Sequence, residues 1–153
     1  MSLESIVHRC LKMGINCVTI SDHGTIAGAL KLREMAPFEV IVAEEILTPA
    51  GEIMGLFLTE EIPSGLSPEE TVAQIRAQKG LVCLPHPFDR MRGISGKYQA
   101  IERLLPEIDI IEVFNSRVIL GGSNRKAKLF AQEHGLLCSA GSDAHIPHEI
   151  GHA

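Results

Sequence analysis

Apolar and polar positions along this chain switch repeatedly between a helical and a strand-like rhythm. Leu3, Ile6, Val7, Cys10 and Leu11 fall on one helix face, with Ser2 placed to cap that helix and Gly14 to end it. The apolar run that follows predicts a buried strand over 17–21. Residues 25–35 read as a helix stopped by Pro37. Residues 38–47 form a strand pattern rich in β-branched side chains that ends in Glu44-Glu45. A second strand, 53–58, pairs with it as a hairpin across the Pro49-Ala50-Gly51 turn. Ser67-Pro68-Glu69-Glu70 is the strongest local signal: a cap, a proline at the first helical position and a capping-box glutamate, opening a helix that runs to Lys79. A strand then leads to Pro85-His86-Pro87, and 89–96 reads as a polar loop. A short helix over 98–105, a strand over 108–114 and a helix over 124–134 follow. The last strand carries Gly141-Ser142-Asp143-Ala144-His145. This alternation implies an α/β chain with a mostly parallel sheet or barrel, in one domain over 1–153.

Composition narrows the function classes. The chain has 153 residues, 45% of them hydrophobic, but five Phe, one Tyr and no Trp, so its core is aliphatic. The formal charge of −5 and the lack of a basic stripe argue against a long nucleic acid as partner. A small phosphorylated substrate or nucleotide stays open, because bound cations would supply the positive charge. The four cysteines, 10, 17, 83 and 138, form no CxxC pair and mostly sit in apolar runs, which points to buried thiols in a reducing, cytoplasmic setting. No apolar stretch is long enough to span a membrane, and the N-terminal residues lack the pattern of a signal peptide.

The chemistry-bearing residues gather where apolar runs end. His23, Glu45, His86, Asp143 and His145 all lie at the C-terminal ends of predicted strands, the side on which α/β proteins place their sites. His, Asp and Glu without Cys suit Zn, Mn or Fe ions that activate water. In a regular strand Asp143 and His145 point to the same face, whereas Glu44 and Glu45 point to opposite faces, so only one of that pair can face a site. Taken singly, His23 is either a loop histidine or a ligand, and His86, between two prolines, is either a turn residue or a held imidazole. Glu112 sits inside an apolar strand, where a carboxylate needs a metal shell or a nearby Arg as partner.

In their order, Ser21-Asp22-His23-Gly24, Glu44-Glu45-Ile46, Pro85-His86-Pro87-Phe88, Ile111-Glu112-Val113-Phe114-Asn115 and Gly141-Ser142-Asp143-Ala144-His145 resemble the PHP family, the polymerase and histidinol phosphatase domains. The resemblance implies a distorted seven-stranded β/α, TIM-like barrel holding up to three divalent ions and hydrolysing phosphoesters. It also implies that His23, Glu45, His86, Asp143 and His145 are metal ligands, with Glu45 bridging two ions. His86, Asp143 and His145 would be the catalytic set, with Asp22 and Glu112 in support. Arg90, Arg92 and Arg117 are candidates to hold the phosphate.

The chain departs from the family pattern in several places. The family opens on a strand ending in His-x-His, which this chain lacks, so the barrel is expected to be incomplete, with fewer ions than three. The domain reads as truncated at both ends. Its two unpaired sheet edges call for a cover, which a second copy of the chain could provide. Ala43 stands where a Gly is frequent, and Met54 where many members have a ligating His. The leading expectation is a metal-dependent phosphoesterase acting through a metal-activated water. Its rival is a truncated or degenerate PHP module with weak or no catalysis and a structural or interaction role. An amidohydrolase on a similar barrel is a third, weaker reading.

Overall fold

The computed structural model describes residues 1–89, 92, 98–118 and 122–153. Among them the order is α1 (Leu3–Met13), β1 (Cys17–His23), α2 (Ala27–Met35), β2 (Glu39–Thr48), β3 (Gly51–Leu56), α3 (Pro68–Ala77), β4 (Leu81–Leu84), α4 (Tyr98–Leu104), β5 (Ile110–Asn115), α5 (Ser123–His134) and β6 (Leu137–Gly141). The six strands form one curled sheet, a half-barrel, in the order β1-β2-β3-β4-β5-β6. The seven-stranded barrel implied by the resemblance is not seen: the described residues form an open sheet of six strands. β1–β2, β4–β5 and β5–β6 pair in parallel, while β3 runs antiparallel to both its neighbours.

Local chemistry accounts for the helix ends. The Ser2 hydroxyl accepts from the Ser5 N–H, and Gly14 closes α1 at a φ of 70°, a conformation in which a Cβ would be strained. At α3 the capping box is complete: Ser67 accepts from Glu70 N–H, and Glu70 accepts from Ser67 N–H at 2.9 Å. The Thr48–Gly51 turn joins β2 to β3 as the expected hairpin. In it Thr48 Oγ1 donates to Gly51 O at 2.6 Å and accepts from Ala50 N–H at 3.1 Å.

The sheet separates two kinds of surface. On its outer face Val42, Ile46, Ile53, Val82, Leu84 and Ile111 pack under Val72 and Ile75 of α3 and Phe130 and Ala131 of α5. A fully buried side chain of this size stabilises by roughly 1.5–3 kcal/mol, so this layer is what holds the curl. A second cluster joins Ile6 and Cys10 of α1 to Leu32 and Val40. The inner face carries a thinner apolar patch of Ala43, Leu56 and Cys83, with Ile41, Met54, Leu81 and Ile110 against it. Polar groups gather at its upper end. There the parallel strands finish and the antiparallel β3 begins.

Two elements differ from the sequence expectation in ways that matter for the site. β6 stops at Gly141, so Asp143 and His145 lie beyond the strand and its alternation does not orient them. Asp143 adopts a φ of 49°, which turns its side chain independently of the strand. In β5 the register with β6 shifts between Glu112 and Phe114, a bulge with one extra residue. None of the helices among the described residues is long and apolar enough to cross a membrane.

Candidate metal centre

Three side chains converge at the top of the inner face. Glu45 comes from the end of β2, Glu52 from the start of β3 and His86 from the turn after β4. One donor atom from each lies within 4.8 Å of the others, and all three residues are buried. The hairpin explains the first two. Glu45 faces Met54 across the strand pair, and Glu52, two residues from Met54, therefore shares its face. Glu44 takes the opposite face, as alternation predicts. It is fully buried, and its Oε2 accepts from Ile62 N–H at 2.8 Å.

His86 is held from both sides. It sits between Pro85 and Pro87 at a φ of 28°, an uncommon conformation for a residue that precedes proline. Its backbone N–H donates to Glu112 Oε2 at 2.7 Å. Its ring Nε2 lies 2.9 Å from Glu45 Oε1 and 3.2 Å from Glu52 Oε2. A single hydrogen on Nε2, used toward Glu45, leaves nothing for the second carboxylate. Glu52 Oε2 and His86 Nδ1 are accordingly buried with no hydrogen-bond partner among the described residues.

The electrostatics follow from this crowding. Burial pushes the Glu52 carboxyl above its ordinary range, and the neighbouring Glu45 charge adds to the rise. Burial pulls the His86 imidazole down, but the hydrogen bond and charge of Glu45 outweigh it, and the net shift is upward. Glu112 is also raised, chiefly by burial, against the lowering effect of His86 N–H and Asn115. Among the described residues the partners of buried Glu112 are a backbone N–H and an amide, Asn115 Nδ2 at 3.0 Å. The β5 bulge makes that possible. In a regular strand residues 112 and 115 point to opposite faces, and the extra residue brings both to the site.

The remaining predicted residues are placed less uniformly. His23 shares the inner face, with Nε2 3.8 Å from Glu45 Oε2, but its side chain is 61% exposed. Asp22 points to the helix side instead, with its Oδ2 2.6 Å from where a Cβ on Gly28 would stand. Asp143 Oδ2 accepts from Arg92 Nη1 at 2.6 Å and from Asn115 Nδ2 at 3.3 Å. His145 Nδ1 lies 2.9 Å from the Asp143 carbonyl oxygen and 3.6 Å from its Oδ1, with the ring mostly exposed. Arg92 also donates to Asp89 through Nε and Nη2. Arg117 is paired with Glu149, both oxygens at 3.2 Å from Nη1. Arg90 lies outside the described residues. Glu52 and Asn115 are the site residues that sequence reading missed. Counting alternation back from Met54 reaches Glu52, whereas nothing local announces the bulge that delivers Asn115.

The donor set fits a divalent ion. It offers two carboxylates and an imidazole, no thiolate, and one buried carboxylate oxygen that lacks a hydrogen-bond partner among the described residues. An ion there would relieve the mutual repulsion of Glu45 and Glu52, which among the described residues faces the imidazoles of His86 and, at 3.8 Å, His23.

Comparison with other proteins bears on the fold. Residues 121–153 match the model of a PHP-associated family. Two uncharacterized proteins of Methanocaldococcus jannaschii are similar in sequence. MJ1587 is 44% identical over 117 residues, covering 74% of this chain and 66% of that protein. MJ0417 is 40% identical over 147 residues, covering 94% and 58%. The chain thus spans somewhat under two thirds of the length of these curated relatives. Among solved structures, a two-domain protein of Bacteroides vulgatus containing a predicted PHP-like metal-dependent phosphoesterase superposes with a TM-score of 0.78 at 17% identity. The match covers 95% of this chain and 48% of that one. By its fold the chain is similar to that PHP-like protein, and its C-terminal residues 121–153 match a PHP-associated family.

Proposed function

We propose that this chain carries a metal-dependent phosphoesterase site for a small phosphorylated substrate, with Glu45, Glu52 and His86 as its central ligands. The observation that supports it most is the buried Glu45–Glu52–His86 group, in which Glu52 Oε2 has no hydrogen-bond partner among the described residues. His23 lies beside Glu45, and Asp143 is linked to His86 through Asn115 and Glu112; with His145, next to Asp143, they are the candidates for further coordination. A bound Zn, Mn or Fe ion supplies a water acidified toward neutral pH and a Lewis acid for a phosphoryl oxygen. The chain's own residues hold the arrangement. Glu112 fixes the backbone of His86, Asn115 ties Glu112 to Asp143, and the two prolines restrict the imidazole. The exposed rings of His23 and His145 mark the open side, from which a phosphate would enter.

One observation favours a second reading, an ion-binding module without turnover: Asp143 is already engaged by a guanidinium. The test that separates the two is metal analysis of the purified chain, followed by hydrolysis of a generic phosphomonoester with Mn or Zn. The phosphoesterase reading expects bound metal and turnover, both lost in Glu45→Gln. Metal without turnover supports the module, and no metal uptake at all refutes both.

A further inference from the structure

The carboxylates at the top of the half-barrel are neutralised in two different ways. At Glu45 and Glu52 the only positive partner within hydrogen-bonding distance among the described residues is the His86 ring, and one buried oxygen is left over. At Asp143 a permanent cation is in place. Arg92 Nη1 meets Asp143 Oδ2 at 2.6 Å, while Nε and Nη2 of the same guanidinium meet Asp89 Oδ2 at 3.2 and 3.1 Å. All three side chains are largely withdrawn from solvent, the two carboxylates at 14% and 15% exposure. Asn115 adds a further donor to the same Asp143 oxygen.

We propose that Arg92 is a built-in cation that stands in for a metal ion at Asp143 and so sets how many ions the site takes up. This rests on the reading of Glu45, Glu52 and His86 as the central ion site. A guanidinium cannot shed its charge at accessible pH. Asp143 Oδ2 therefore becomes available to an ion only when Arg92 leaves it. A fork held by two carboxylates at once leaves less readily than one held by a single partner. The chain as folded would accept an ion at the orphaned Glu52 oxygen and resist one at Asp143. The ion count is then a property of one side chain that is not itself a ligand.

Equilibrium dialysis against Mn2+ with metal analysis tests this in wild type, Arg92→Ala, Arg92→Lys and the double variant Arg92→Ala/Asp143→Asn. Circular dichroism confirms that each is folded. At a free Mn2+ concentration that saturates wild type, Arg92→Ala should hold one more ion per chain, and the double variant should lose that gain. Arg92→Lys keeps the charge but not the fork. It should bind the additional ion at least tenfold more tightly than wild type, and it decides the matter if the alanine variant does not fold. Identical uptake in wild type and in the folded Arg92 variants overturns the inference. A Glu45→Gln control separates this from the underlying site: uptake unchanged by Glu45→Gln refutes the central ion site, whatever Arg92 does.

Discussion

Replacing Glu52 by Gln should move stability in opposite directions with and without metal. In the ion-free chain Glu52 is buried at 9% exposure, its Oε2 has no hydrogen-bond partner among the described residues, and burial and the Glu45 charge disfavour its ionised form. The 3.2 Å approach of His86 Nε2 works the other way, but that nitrogen is nearer to Glu45, at 2.9 Å. The net upward displacement of the Glu52 carboxyl shows which effect wins. A buried unsatisfied group costs about 1–3 kcal/mol. The amide of Gln removes the charge and can donate to Glu45. For a chain of this size 1 kcal/mol corresponds to about 2–4 °C, so the ion-free variant should melt roughly 2–12 °C above wild type. With Mn2+ the order reverses. At 100 times its Kd an ion adds about 2.7 kcal/mol to wild type, and weakening the site ~100-fold removes most of that. Differential scanning fluorimetry in EDTA and in Mn2+ reads both effects on the same samples. A Glu52→Gln chain that melts below wild type in EDTA, yet gains as much as wild type from Mn2+, would show that Glu52 is a structural partner of His86 and not a ligand.

Other consequences are as specific. A Cβ on Gly141 would overlap Glu112 Oε1, so Gly141→Ala should push Glu112 off the His86 N–H. Overpacking of this kind costs about 1–3 kcal/mol, and a melting temperature and Mn2+ affinity both unchanged would argue against the contact. Thiol titration of the native chain at pH 8 should find Cys17 and Cys138, which are exposed, and miss Cys10 and Cys83. Burial pushes the Cys83 thiol up to about 12, with the Glu112 charge adding to it, and four rapidly reacting thiols would contradict this burial. Ser67→Ala should cost about 1 kcal/mol through loss of the α3 cap. The Ser67 hydroxyl and N–H hold the Glu70 carboxyl below its ordinary range, so its contribution is present above the unfolded-state pKa and lost as pH falls through the folded one. Urea melts at pH 7 and pH 3 check this, since the deficit of Glu70→Gln should fade at the lower pH.

The elements were legible because each is announced locally: a helix face by its spacing, a strand by an apolar run, α3 by its capping box. Glu44 and Glu45 were separable for the same reason, since strand alternation needs no knowledge of the partner. What escaped depends on pairing. The β5 bulge exists only in register with β6, and it is the bulge that puts Asn115 beside Glu112. Glu52 joins Glu45 through the hairpin register, which the turn at Pro49-Ala50-Gly51 foreshadowed without naming the side chain. Asp143 leaves strand geometry altogether at its positive φ, so the same-face argument for it and His145 had no strand to act on.

The antiparallel β2–β3 hairpin also bears on the order of events during folding. It joins neighbours in sequence, so it closes a short loop, whereas His86 and Asp143 must be brought in from much further along the chain. Two acidic side chains are thus forced together by the most local pairing in the sheet, before either distant partner can arrive. A divalent ion present at that moment would be bound by a nascent hairpin rather than by a finished site. Its stabilisation would then appear mainly as faster folding, with the unfolding rate of the completed half-barrel changed much less.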